Sequence, residues 1–575
     1  MTSLPSRFDE TGHTRATSSR RRIERLNPPS RLWGSNGVAF GPDGRLYVAQ
    51  FLAGQISAVD PATGDIEVIV PMDSPVQSPD DLAFGADGAM YIADLVPGRV
   101  WRRSPLGEYT LVSDQVTNPN GITCVGNRLF VNEMKPDGRL MELFPDGGDP
   151  VVLTAGLALG NAMQLGPDGH LYYPHMVSEQ VWRIPPDGGV PEVVAQDVHQ
   201  PVAVRFDRGG VLHVLSRGVE GIVTRLDLHG AGSRTLVTSG VAGLDNAAFD
   251  TENRMFVSSY ASGGITEMRS DGRIREVVPR GLGGPYGVTI DLGGTVYAAD
   301  HYRLVSPAAS HEGEPAGGSY GGSSGGSYGG SGREVAGGGP YGGSGREVAG
   351  GVRTHALLHF AHGIAADGEL LHLTSQYGDV RTHDPVRKVT RERATGLRRP
   401  LGIAVGPDGS LVVAEAGAGR IVAIDGNDAL TVLADGLDHP VDVAFDREGR
   451  CYVTDERLGA VLRIDDGTPV TVADGLGAPQ GLAVLGDELF TVETAHRRLR
   501  AISLTTGDSR IDAEDLPVGP PPGVVPRAQP ALFAAGLPGA PGRFAGLAVA
   551  PEDSLLLSAD GEGTLLRLTP SPAPD

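Results

Sequence analysis

The chain has 575 residues and a formal charge of −22; its 84 glycines and 43 prolines sit beside a hydrophobic fraction of 40%. The length exceeds one compact core, so two cores or an additive repeat are expected. The acidic balance excludes a general binder of nucleic acid or anionic membrane, whose surface must cluster Lys and Arg.

Residues 1–32 precede the repetitive part as an N-terminal extension. Its Arg20–Arg22 run is followed by no apolar stretch of signal-peptide length, and no 18-residue apolar run occurs anywhere, so a soluble, cytoplasmic protein is expected. Cys124 and Cys451 fall at unrelated points of the repeat, which argues against a disulfide framework and against a cysteine metal site.

From Asn36 the sequence repeats. NGVAFGPDGRLYVAQ (from Asn36), DDLAFGADGAMYIAD (from Asp80), NAMQLGPDGHLYYPH (from Asn161) and LGIAVGPDGSLVVAE (from Leu401) each read as a short apolar strand, a tight turn and a second strand. In GPDG the Pro presets φ, the Asp bonds nearby backbone and the Gly takes the positive φ. Alternating segments such as QISAVD and IEVIVP then supply a third and a fourth strand. The unit returns about every forty residues, the period of a propeller blade. Copies begin at Asn36, Asp80, Asn120, Asn161, Val202 and Asp245, then at Tyr286, His362, Leu401, Val441, Gln480 and Ala545.

The expected fold is therefore all-β, with about twelve four-stranded blades in two tandem six-bladed propellers, 33–282 and 283–575. The last copy ends in LLRLTP without an evident fourth strand, and RIERL (Arg22–Leu26) is a candidate to supply it and close the second ring. A Gly/Ser/Tyr tract at 307–351 reads as a flexible insert within the seventh copy, and a Pro-rich insert from Pro517 extends the eleventh.

Innermost strands converge on a central channel, so the residue that opens each copy becomes one member of a ring. Five of the first six are Asn or Asp; none of the last six is. Carboxylate and amide oxygens brought together suit a hard divalent cation, Ca²⁺ ahead of Mg²⁺ or Zn²⁺. The candidate ligands are Asn36, Asn120, Asn161 and Asp245, with Asp80 or Asp245 activating water. The ends of the second strands hold a further polar register, in which Glu133 and His175 come from adjacent blades and are candidate acid/base groups. No GxSxG elbow or Rossmann fingerprint in a strand-to-helix context, no HExxH and no GxxxxGK(S/T) motif accompanies them.

These motifs, above all NPNGITCVGNRLFV from Asn118 and GSNGVAFGPDGRLYVA from Gly34, resemble the propeller superfamily of senescence marker protein/gluconolactonase, strictosidine synthase-like and NHL-repeat proteins. The resemblance implies one divalent ion at the channel mouth, held here by Asn36 in place of a Glu, by Asn120 or Asn161, and by Asp245. AHGIAADGELLHL from Ala361 is similar to the repeats of virginiamycin B lyase. The leading expectation is a metal-assisted hydrolase of a small lactone or ester, with the second propeller as scaffold or protein-partner surface. The alternatives are a lyase, isomerase or cyclase of natural-product metabolism and a non-catalytic NHL-like binding module.

Overall fold

In the computed structural model, residues 7, 16–228, 233–308, 351–358, 360–375, 377–520 and 543–571 are described. The Gly/Ser/Tyr tract at 309–350 and the Pro-rich stretch at 521–542 lie outside them, as do most of residues 1–15. Strands Arg303–Pro307 and Val352–Ala356 pair directly, so in sequence the tract falls between the third and fourth strands of one sheet. Among the described residues no helix is long and apolar enough to cross a membrane.

Among the described residues twelve antiparallel four-stranded sheets follow one another. Their innermost strands are Val38–Phe40, Pro79–Phe84, Pro119–Val125, Gln164–Leu165, Pro201–Phe206 and Leu244–Phe249 in blades 1–6. Blades 7–12 begin with Val288–Ile290, Ala361–Asp367, Pro400–Val405, Pro440–Phe445, Pro479–Leu485 and Leu547–Ala550. The hairpins behind them form as their residues dictate. Gly44, at φ 78°, occupies the left-handed position that disfavours a side chain, and Asp43 accepts the Arg45 amide at 3.2 Å.

Each blade buries its faces against its two neighbours, which makes the core a set of between-blade layers. Tyr47, Ala49 and Ile56 of blade 1, for example, pack on Leu82, Met90 and Ile92 of blade 2. Further layers join blade 6 to blade 1 through Phe256 and Ile265 with Val38 and Leu46, and blade 12 to blade 7 through Leu556 and Leu565 with Val288 and Ala298. The chain thus forms two closed six-bladed rings.

A backbone contact at the inner strands sets the blade spacing. Gly37 N donates to Asp80 O at 2.6 Å, Gly481 N to Ala545 O at 3.0 Å and Gly546 N to Tyr286 O at 3.0 Å. A Cβ on Gly121 would stand 2.2 Å from Asn161 O, and one on Gly481 2.2 Å from Ala545 O, so close approach rather than turn geometry requires glycine there. Side chains add staples: Ser258 Oγ donates to Asn36 O at 2.5 Å, Asn132 Nδ2 to Asn161 O at 2.7 Å and Thr454 Oγ1 to Gln480 O at 2.7 Å.

The rings close differently. Blade 6 is completed by contiguous chain, Leu244–Val278. Blade 12 takes its outer strand from the N-terminus: Arg21–Arg25 pairs antiparallel to Thr564–Pro570, with Ile23 opposite Leu568. Arg21 is held by Asp512 at 2.5 Å, and Arg25 grips Glu562 through two bonds of 2.7 and 2.8 Å. From Arg21 the described chain therefore runs from ring two into ring one and back to ring two. Arg7 sits at the crossing: its guanidinium donates to the carbonyls of Leu32 (2.7 Å), Leu282 (2.9 Å) and Asp560 (2.8 Å) and lies 4.1 Å from the Trp33 ring centroid.

Deleting residues 1–28 removes that strand and the Ile23 and Leu26 side chains packed against ring two. Loss of two such aliphatic contacts and one edge ladder is expected to lower the thermal midpoint by about 10 °C or more. An unchanged midpoint in a calorimetric scan would show that ring two closes without it.

Candidate functional site

The channel mouth of ring one gathers polar side chains because its inner-strand backbone is spent on joining blades, which leaves the side chains at those positions to project inward. Asn36 Nδ2 faces Asp80 Oδ1 at 3.4 Å. Asp80 is almost wholly buried; burial, then the charges of Asp245 and Asp81, push its carboxyl well above the ordinary range. Burial and Asp81 likewise push Asp245 up to about 7, while Arg217 and Arg205 pull it back. Among the described residues neither Asp80 nor Asp245 enters an ion pair.

A second layer lies beneath. Asp81 accepts Asn246 Nδ2 at 3.0 Å, Leu82 N at 2.9 Å and Ile122 N at 3.3 Å, and burial, opposed by Arg205, lifts it to about 6. Arg205 is itself buried and tied to the carbonyls of Ala247 (2.8 Å), Met163 (2.9 Å) and Val204 (2.8 Å). Three carboxyls thus face two guanidinium groups, Arg205 and Arg217.

The amides differ in what they present. Asn120 Nδ2 meets the Met134 sulfur at 3.1 Å, and its Oδ1 is buried without a hydrogen-bond partner. Asn161 turns its oxygen to the amide of Ala162 at 2.7 Å and so offers the mouth only its nitrogen, 3.9 Å from the same sulfur. Among the described residues no three His, Cys, Asp or Glu side chains converge as a metal-binding group, so a cation here depends on amide oxygens. Asn36, Asp80, Asn120 and Asp245 fit that need: their donors are hard oxygens, and the orphaned Asn120 Oδ1 has a use for a ligand.

Glu133 and His175 do not meet. Glu133 accepts Arg139 Nη2 at 2.6 Å, Arg139 Nε at 2.9 Å and Thr117 N at 2.9 Å. Burial works to raise its pKa, but these bonds hold it below the usual range. His175 stacks on Trp182 at 5.1 Å and accepts the Ala158 amide at 3.4 Å; burial pushes it down to about 4. The register is a structural device found in both rings. Asp94 accepts Ser78 N at 2.7 Å, Glu415 accepts Arg398 N at 2.6 Å and Glu493 accepts Gly477 N at 2.8 Å, each tying the incoming loop to the second strand.

The rim lies one residue further on. Phe51, Leu95, Met134, Met176, Arg217 and Tyr260 follow the strand ends of blades 1–6, and Met134 and Arg217 reach the mouth groups just described. Four of these six are apolar, and they stand one position beyond the strand-end candidates of the sequence. Two acids were likewise not among those candidates: Asp81 and, in ring two, Asp442, which accepts Val443 N and Leu482 N at 2.9 Å each and is pushed by burial to about 8. The acid-free second channel expected from the opening positions is therefore corrected: its carboxyl stands one residue later.

No family model and no curated protein matches the chain. Among solved structures it is similar to a streptogramin B lyase, at 20% identity over 49% of this chain and 95% of that one, with a TM-score of 0.36. A gluconolactonase from Xanthomonas campestris matches at 17% identity over 45% and 93%, TM-score 0.35. The extracellular domain of a hybrid two-component system from B. thetaiotaomicron matches at 10% over 96% and 82%, TM-score 0.32. Likenesses of this degree say nothing of ligand or reaction in this chain.

Two outcomes are expected. Glu133→Ala leaves Arg139 and Thr117 N without their acceptor and costs about 3 kcal/mol in chemical denaturation; a loss of activity without loss of stability would instead restore Glu133 as a catalytic group. For Asp245, the folded pKa lies above the unfolded value, so the folded state holds the proton more tightly. The stabilisation is complete near pH 4 and disappears as pH rises through about 7. Asp245→Asn should flatten the fall of the thermal midpoint between pH 5 and 8; an unaltered slope would place the proton elsewhere.

Proposed function

We propose that the chain is an enzyme that opens a lactone or ester bond of a small molecule at the mouth of ring one. The observation that carries this is a pair of inner-strand carboxyls within one another's field and, among the described residues, without ion pairs: Asp80, buried beside the Asn36 amide, and Asp245, half-buried. Two such carboxyls hold one proton between them near neutral pH, which makes one an acid and the other a base. Arg217 and Arg205 favour the charged form of Asp245, so Asp245 takes the proton of a water as its oxygen bonds to the substrate carbonyl carbon. Asp80, whose environment disfavours charge most, delivers its proton to the departing alkoxide as the acyl C–O bond breaks. With that proton released, Asn36, Asp80, Asn120 and Asp245 would hold a divalent cation, which when bound would supply Lewis-acid polarisation of the carbonyl.

A second reading has its own support. Arg205 and Arg217 already bring positive charge to the carboxyls, so the same pair serves proton transfer without a cation, as in an elimination or isomerisation. Metal analysis and a panel of lactones and esters, with and without chelator, separate the two. The expected result is one divalent ion per chain, lost in Asp80→Asn and Asp245→Asn, with hydrolysis reduced by about a hundredfold or more in both variants. A metal-free protein that is unaffected by chelator removes the cation from the proposal, and full hydrolysis in both variants removes the carboxyl pair.

A further inference from the structure

Ring two presents an aromatic face to the mouth of ring one. Tyr260, on the rim of blade 6, meets Tyr302 of blade 7 edge-on, with ring centroids 4.9 Å apart. Tyr260, Ala261 and Tyr302 are buried together, with Leu52 of blade 1 and Leu357 and Phe360 of ring two packed against them. Behind Tyr302 stand His301 at 4.3 Å and Phe360 at 6.0 Å, and Phe360 meets Tyr377 at 4.7 Å. Arg217 lies over the Tyr260 ring at 5.3 Å, its Nη1 3.3 Å from the Met176 sulfur. Burial, then Tyr377, then the charges of Asp80 and Asp245, push the Tyr302 phenol well above its usual range, which brings this residue of ring two into the field of the ring-one carboxyls.

The mouth therefore has a polar floor, an apolar rim and a roof from the other ring. Sugar-like substrates carry a hydroxyl on nearly every carbon, and each needs a partner when desolvated. Of the six rim residues, Phe51, Leu95, Met134 and Met176 offer none beyond a soft sulfur, and the Arg217 guanidinium is engaged with the Tyr260 ring and the Met176 sulfur. A substrate with one reacting carbonyl, held by the floor, and an apolar or aromatic ring, held by the rim, satisfies both layers.

We infer that ring two is part of the substrate site, with Tyr302 and Phe360 as specificity-determining residues that select a lactone or ester bearing an aromatic or apolar ring over a polyhydroxylated one. The inference rests on the ring-one mouth being the site proposed above. Its test uses the full-length protein with dihydrocoumarin as the aromatic lactone and δ-gluconolactone as the polyol. Binding is read by calorimetry and turnover is read separately. Wild type should bind dihydrocoumarin more tightly. Tyr302→Ala should weaken that binding, or raise KM with kcat nearly unchanged, by about tenfold, the worth of one well-packed aromatic contact. Tyr302→Phe should bind as wild type does. Phe360→Leu gives a milder loss in the same direction and serves if Tyr302→Ala does not fold. Equal binding in wild type and Tyr302→Ala, a preference for δ-gluconolactone, or binding of neither compound overturns the inference. Selective binding without turnover removes the hydrolase reading and leaves the shared site standing.

Discussion

The contact on which the rest of the molecule depends is the inner-strand junction, where one blade's amide donates to the carbonyl of the next blade's opening residue. It is short, it recurs in both rings, and at most copies it demands glycine because a Cβ would fall on the neighbouring carbonyl. Because it uses main-chain atoms, the residue that opens each copy is free to be Asn, Asp, Val, Tyr, His or Gln without disturbing the ring. The fold thus holds six side chains at fixed positions around each channel and leaves their chemistry open.

In two blades an acid replaces the glycine and serves the junction in another way. Asp81 and Asp442 occupy that position in blades 2 and 10, and each carboxylate accepts both its own strand's next amide and an amide of the following blade. A carboxyl introduced for ring geometry becomes, by the same step, a buried charge in the channel. In ring one Arg205 and Asn246 answer it; around Asp442 the hydrogen bonds come from the two amides, and burial raises its proton affinity further. The two channels therefore differ in how their charge is compensated rather than in whether they contain any.

Much of the architecture was legible because blade formation is local: GPDG turns and period-two alternation need only near neighbours along the chain. The closing strand was legible for a different reason, since LLRLTP lacked a partner and RIERL had the right character. The site was read less completely. Pleating sends successive side chains to opposite sides of a strand, so a register misjudged by one residue exchanges rim for capping position. Glu133 and His175 were reached by that error, and Met134 and Met176 were missed by it. The clue was present in the sequence: Asp300, Glu415, Asp455 and Glu493 repeat the strand-end acid in ring two, and a feature shared by both rings supports the blade rather than a site. Contact between the rings had no such clue, because Tyr260 and Tyr302 meet through tertiary packing alone.

Charge at the ring-one mouth constrains what the site can do. Asp80, Asp81 and Asp245 outnumber Arg205 and Arg217, and low polarisability around them makes an uncompensated charge costly. A proton shared by Asp80 and Asp245 removes the excess, and so does a cation held by the same oxygens, but the two compete for one place. Were a cation held there, its binding and proton release would be linked: affinity for the ion would fall as pH drops through the region where Asp245 takes up its proton.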